Sequence, residues 1–185
     1  MPAGHIHDRI TLGSLPIVGG ASLALTQSAS QTLGLCTAFL FSGLMFGPDL
    51  DIYSRQFCRW GPARVMWIPY QRLLKHRSWC SHGPFVGTAL RLLYVLSWLA
   101  LGGGLVWMVL DALGSAWSWQ QLGAIAHTSW QHYRPEYLAV LIGLELGAMS
   151  HSGSDWIGST LKRRRRSRSK LHSLRHRPAK SRRSP

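Results

Sequence analysis

The sequence predicts an all-α protein, a membrane bundle of about four hydrophobic helices followed by a disordered basic C-terminal tail. Leu92 to Leu110 is an uncharged apolar run of 19 residues, which as a helix rises about 28 Å, close to the hydrocarbon thickness of a bilayer. Other apolar segments flank it, separated by turn-forming or charged stretches. Of the 21 lysines and arginines, twelve lie between Lys162 and Arg183, where no acid occurs. The formal net charge of +14 therefore describes a tail, and the remainder holds nine basic against seven acidic residues.

In chain order, Leu12 to Thr26 is the weakest apolar segment, expected to break at Pro16 and at Gly19-Gly20. The opening is not read as a secretory signal, because His5, His7 and Asp8 are foreign to such a leader and Pro16 interrupts the apolar run. QSASQT, residues 27 to 32, is a polar turn suited to joining two antiparallel helices. Leu33 to Gly47 is the second segment, about 15 residues long and shorter than a usual span. Leu92 to Leu110 is the third and Tyr137 to Ile157 the fourth. Residues 1–160 then form one helical metal-binding membrane domain, and residues 161–185 a tail too poor in apolar side chains to fold. A soluble bundle burying the same helices is the competing architecture, and the 92–110 run argues against it.

Positive charge sets the expected orientation. Arg55, Arg59, Arg64, Arg72, Lys75, Arg77 and Arg91 separate the second and third segments, whereas residues 111 to 136 contain only Arg134. Basic loops favour the cytoplasmic side, so four spans with both termini inside are expected. Cys36, Cys58 and Cys80 form no CxxC pair and fit a reducing compartment. Cys80, between His76 and His82, reads as a small buried thiol in preference to a ligand.

The scarce acids carry the functional signal. Five of the seven, Asp8, Asp49, Asp51, Glu145 and Asp155, lie in or near short segments that hold a histidine. Oxygen and imidazole donors in such numbers suit a divalent transition metal, zinc first, with manganese or iron as alternatives. Asp49 and Asp51 flank Leu50 in an expected extended turn after Gly47-Pro48. Two carboxylates that close repel unless a cation lies near them, although a helix cap and a solvated charge are the plainer reading. His76 and His82 lie six residues apart, so a loop presents both better than one helical face does. His151 and Asp155, four apart, share a helical face, as metal ligands or as an ordinary hydrogen-bonded couple. Glu145 sits about 12 Å into the last helix, where an acid must face the bundle interior or a wet cavity. Arg77 beside a metal suits a phosphate or carboxylate, or is a membrane-surface charge. His5 is a weaker candidate than His7, and His127, His132, His172 and His176, in a loop and the tail without acidic neighbours, are read as solvated. In the four-span arrangement His7, Asp49, Asp51, His76 and His82 fall at the cytoplasmic face, and the last helix brings His151 and Asp155 back to it.

The N-terminal His-Asp, FSGLMFGPDLDIYSRQ, RWG, HRSWCSHGP, GLELG and HSGSD together resemble a family of cyanobacterial metal-binding proteins of unknown function, over about residues 1 to 160. More distantly the pattern is similar to the YdjM-like membrane-bound metal-dependent hydrolases, which share an early His, an Asp-rich turn and an HR…(S/T)H motif. These in turn resemble the all-helical zinc-dependent phospholipase C class. The resemblance implies His7, Asp49, Asp51, His76, His82, Glu145, His151 and Asp155 as metal ligands in an inner or thylakoid membrane. The expected function is a metal-dependent hydrolase of a small phosphoester or lipid-like substrate, with Asp49 or Asp51 as general base and Arg77 clamping the anion. A closed, non-catalytic metal-binding sensor or scaffold is the alternative. Membrane lipids are the expected surroundings; the tail's charge would attract anionic lipid or nucleic acid, and a solvated tail that holds the C-terminus in the cytoplasm is the preferred, plainer reading.

Overall fold

The computed structural model describes residues 4–114 and 118–175, with side chains to residue 160. Among the described residues the regular structure is entirely helical: α1 (Gly4–Thr26), α2 (Ala29–Leu44), α3 (Arg55–Cys58), α4 (Ile68–Leu73), α5 (Trp79–His82), α6 (Val86–Ala112) and α7 (Trp119–Arg175). Two 3-10 turns, Pro48–Asp51 and Gly61–Trp67, complete a layer of short elements between α2 and α6.

Helix α1 runs unbroken through Pro16, against the expected interruption. Proline in mid-helix removes one backbone hydrogen bond but does not forbid the helix when neighbours hold both halves in line, and α2 packs along α1. Gly19 faces that contact: a Cβ there would lie 3.2 Å from Cys36 Sγ. The polar turn does end α1, where Gln27 takes a left-handed φ of 49°. Ser28 then caps α2, its side chain accepting from the Gln31 N–H at 3.4 Å.

Asp49 and Asp51 stand on a 3-10 turn, not on an extended one. Pro48 favours the first turn of a helix, where its missing N–H costs nothing, and only Gly47 before it is extended. Gly47 leaves room for Gln56, whose Nε2 donates to the Gly43 carbonyl at 2.9 Å and ties the turn to α2.

Helix α2 is the central strut, packed on α7 along its length and on α1. The close approach to α7 depends on Gly143 and Gly147, four residues apart in GLELG. Cβ atoms at these positions would fall 2.3 Å from the Leu35 carbonyl oxygen and 2.5 Å from that of Phe39. Small residues at this spacing let helix backbones meet, a device frequent in lipid. Gly147→Val is expected to pry α7 off α2 and to lower the apparent Tm in detergent by well over 5 °C, whereas Gly153→Ala, with open space around its Cβ, leaves it unchanged or raised. Differential scanning fluorimetry of the two variants checks this.

Helix α7 bends at Tyr133 (φ −109°, ψ 19°), two residues before Pro135, as proline clashes with the preceding turn. Its backbone stays helical to Arg175, past the boundary expected at residue 160, so residues 161–175 of the expected disordered tail have helical backbone. Residues 176–185 lie outside the described residues.

Three helical stretches, Gly4–Thr26, Ala29–Asp51 and Val86–Ala112, are long and apolar enough to cross a membrane. The expected fourth, Tyr137 to Ile157, is not one of them. Its last turns carry Glu145, Ser150, His151, Ser152, Ser154 and Asp155, most of them turned toward other elements (Glu145, His151 and Asp155 are buried). Helix α6 is apolar all round and nearly unpartnered beyond its first turns, with Leu93, Leu99, Leu101, Leu105 and Met108 all exposed.

Candidate metal centre

The layer of short elements rests on an aromatic plug. Trp67 is fully buried and packs edge-on against Phe46, Trp60 and Tyr70, with Tyr94 of α6 tilted beside it. Leu50 and Phe57 belong to the same buried cluster. Burial of this kind pushes the Tyr70 hydroxyl up to about 12. A second anchor holds the start of α1: Asp8 accepts a two-pronged pair of bonds from Arg59, Nη1 to Oδ1 at 2.9 Å and Nη2 to Oδ2 at 2.7 Å, with Arg55 at 3.2 Å. Two loop arginines expected to serve orientation thus also pin His7 in place.

On this frame two groups of donors form. His7 of α1 meets His151 and Asp155 of α7, and Asp49 meets His76 and His82, the donor atoms of each trio lying within 4.8 Å of one another. The His7 and His151 rings stack with centroids 4.0 Å apart, and His7 Nε2 lies 3.3 Å from Asp155 Oδ1. Asp49 joins the groups: its Oδ2 is 3.2 Å from His151 Nε2 and its Oδ1 is 3.7 Å from His82 Nε2. Six of the eight expected ligands therefore fall in the two trios.

The ring orientations are set from behind. Ser154 Oγ pairs with His7 Nδ1 at 2.6 Å, Ser81 Oγ with His82 Nδ1 at 2.8 Å, and Asp51 Oδ1 with His76 Nδ1 at 2.8 Å. In each case the Nδ1 side is occupied and Nε2 is left to face the cluster. Holding one imidazole nitrogen so that the other is presented is how metal-binding histidines are positioned. His76 Nε2, His82 Nε2, His151 Nε2, Asp49 Oδ1 and Asp155 Oδ1 are all buried without a hydrogen-bond partner. That many orphaned donors in one place is costly unless a cation is shared among them. The residues present therefore fit divalent metal, with nitrogen and carboxylate oxygen as its donors.

Asp51 and Glu145, both expected as ligands, stand outside the two trios. Asp51, buried behind His76, spends one oxygen on that ring. Glu145 Oε1 accepts the backbone N–H of Phe85 at 2.9 Å, where Phe85 caps α6 in a left-handed conformation with φ of 60°. Cys80 is exposed and not the buried thiol expected, because the short helix α5 turns Ser81 inward in its stead. His5, His127 and His132 are exposed, and His172 and His176 carry no described side chain.

Arg77 adopts a left-handed φ of 61°, uncommon for a long side chain, and brings its guanidinium to 3.6 Å from Asp155 Oδ2. Arg91, expected among the charges of the basic loop, is 1% exposed. It donates to the Ser81 carbonyl and to Thr88 Oγ1, each at 3.0 Å. Through Ser81 it steadies the residue that orients His82. Replacing Ser154 or Ser81 with Ala is expected to weaken metal binding roughly 10- to 100-fold while the fold survives, read by competition with a chromogenic chelator.

The family model described as Uncharacterized metal-binding protein (DUF2227) matches residues 2–165. No curated protein and no solved structure matches the chain.

Proposed function

Because the chain belongs to the DUF2227 family of uncharacterised metal-binding proteins, we propose that the clustered histidines and aspartates hold two divalent cations on a membrane-embedded bundle and serve a phosphoester hydrolase. In this reading His7, His151 and Asp155 hold one cation, His76 and His82 the other, and Asp49 lies between and contributes to both. Zinc is the first choice, with manganese or iron next. Asp51 keeps the His76 ring in register.

The observation that carries the hydrolytic reading is a cavity of about 500 Å³ onto which both groups open, through His82 and Asp155. A closed structural site would leave no such space beside its donors. A divalent ion bound there supplies Lewis acidity toward a phosphoryl oxygen and acidifies water. Arg77, half exposed at the rim, orients an anionic substrate by its planar fork. Asp49, with imidazoles beside both oxygens, acts here as a ligand, and Asp51, fully buried behind His76, holds that ring.

The three long apolar helices and the exposed apolar surface of α6 favour a membrane setting. The basic segment from Arg55 to Arg77 favours the cytoplasmic face for the centre. Purified protein is expected to carry about two divalent ions per chain by inductively coupled plasma mass spectrometry. It is also expected to hydrolyse simple aryl phosphoesters until the ions are stripped by chelator. Full metal occupancy with no turnover over a panel of mono- and diesters would favour the sensor or scaffold. Recovery in the soluble fraction after a salt wash would overturn the membrane setting, since salt screens attachment by charge but does not extract spanning helices.

A further inference from the structure

We propose that the first half of α7 is the contact between two copies of this chain within the bilayer, paired along an uncharged polar stripe of Gln120, His127 and Gln131. The inference rests on the membrane reading above and is independent of the metal centre. Both ends of α6 are tied to α7. The backbone N–H of Phe85 donates to Glu145 at one end, and Trp107 packs on Trp119 at the other, their ring centroids 4.4 Å apart. The stretches between these ties are of similar length, so the two helices run antiparallel. Residues 119–135 of α7 therefore lie level with the apolar run of α6.

This half of α7 has two faces. Trp119, Leu122, Ala126, Trp130 and Tyr133 recur every three or four residues along one of them, and the contact with Trp107 sets that face toward α6. Gln120, Ala124, His127 and Gln131 recur along another at spacings of four, three and four, the period of a seam between helices. All four are exposed. Among the described residues the hydrogen bond of this stripe is internal, Gln131 Nε2 to His127 Nε2 at 3.4 Å. Arg134, exposed just past the bend at Tyr133, adds a charge at the same depth. Such groups level with an apolar span face protein or water, since lipid offers them no partner.

A second copy is the partner that fits. Copies inserted in the same orientation meet about a two-fold axis along the membrane normal, which sets like residues opposite one another. Glutamine and neutral histidine each carry a donor and an acceptor, so each pairs with its own counterpart without repulsion. Gly123 and Ala124 beside them are small, and a Cβ on Gly123 meets no atom within 4 Å, which lets two backbones approach.

The test uses the full-length chain in mild detergent, its mass followed by size-exclusion chromatography with light scattering over a range of protein-to-detergent ratios. The parent is expected as a concentration-dependent dimer. Because one hydrogen bond between helices in lipid is worth about threefold in affinity, the double variant His127→Leu, Gln131→Leu should raise the dimer dissociation constant roughly 10- to 100-fold. Its metal content should stay at the parent value. Ala124→Cys, oxidised with copper phenanthroline, should give a band of twice the mass well above the level set by the parent's own Cys36, Cys58 and Cys80. Leu105→Cys, on the exposed surface of α6, should not. A parent that is monomeric at every ratio, or a double variant that dimerises as the parent does, overturns the proposal while the membrane reading stands. Ala124→Cys that crosslinks no better than the parent or Leu105→Cys overturns it equally. Parent chain recovered without detergent removes the membrane reading and this inference with it.

Discussion

Asp49→Asn empties both trios at once. The carboxylate lies with one oxygen toward His151 and the other toward His82, so it is the single side chain common to both sides of the cluster. An amide of the same shape carries no charge and offers two N–H donors where a cation needs lone pairs. Metal content is expected to fall from about two ions per chain to less than a tenth of that. Changing His76 and His82 together to Ala should be milder, removing about one ion and leaving the trio of His7, His151 and Asp155 with its own. Elemental analysis of the two variants after dialysis decides the matter. An Asp49→Asn protein that keeps one full equivalent would show that the carboxylate is not shared.

Trp67→Ala is expected to be the most destabilising single change in the layer of short elements. The side chain is fully buried and meets four aromatic neighbours, and truncating such a residue to Ala costs about 3–5 kcal/mol. Little else holds these turns, since α3, α4 and α5 are each one or two turns long and cannot persist alone. The loss should therefore reach Asp49, His76 and His82, whose other ties are polar contacts such as Gln56 to Gly43 and Arg91 to Ser81, and lower metal affinity together with the unfolding midpoint. Trp67→Phe keeps most of the volume and removes an indole N–H that has no partner, so it should cost far less. Denaturant unfolding followed by near-ultraviolet circular dichroism, with metal content measured in parallel, checks both variants. A Trp67→Ala protein with unchanged metal affinity would separate the plug from the site.

Much of this centre was readable without coordinates because acids are so few. When a chain has only seven, each one that stands near a histidine is informative, and His7, Asp49, His76, His82, His151 and Asp155 do converge. The same argument singled out Asp51 and Glu145, which the structure sets behind His76 and at the Phe85 N–H. Scarcity marks an acid as costly to bury, but a carboxylate that steadies a ring or caps a helix meets that cost as well as a metal ligand does. Ser81 and Ser154 escaped notice for the opposite reason, since serine is common and a hydroxyl behind an imidazole has no spacing rule. Arg91 was hidden by context: it begins an apolar helix and looked like part of a basic loop. The G-x-x-x-G spacing of Gly143 and Gly147 was in plain view within GLELG, yet its meaning depended on knowing that α2 lies against that face. Hydropathy located α6 from composition alone. The fourth apolar segment was harder, because the end of α7 combines apolar contacts with the polar donors it brings to the centre.

The donors are spread from residue 7 to residue 155, and that spread imposes a timetable on the ribosome. Asp49, His76 and His82 emerge within a stretch of 34 residues, early enough to meet one another while most of α7 is still untranslated. His7 emerges before them all, yet its partners His151 and Asp155 are among the last residues of the helical core to be made. A nascent chain thus carries half a centre from residue 82 until residue 155 is made, with Asp49 waiting for a ring that arrives late. Arrival of α7 would then both close the bundle and complete the donor set, so that a cation captured early is sealed in by the final helix.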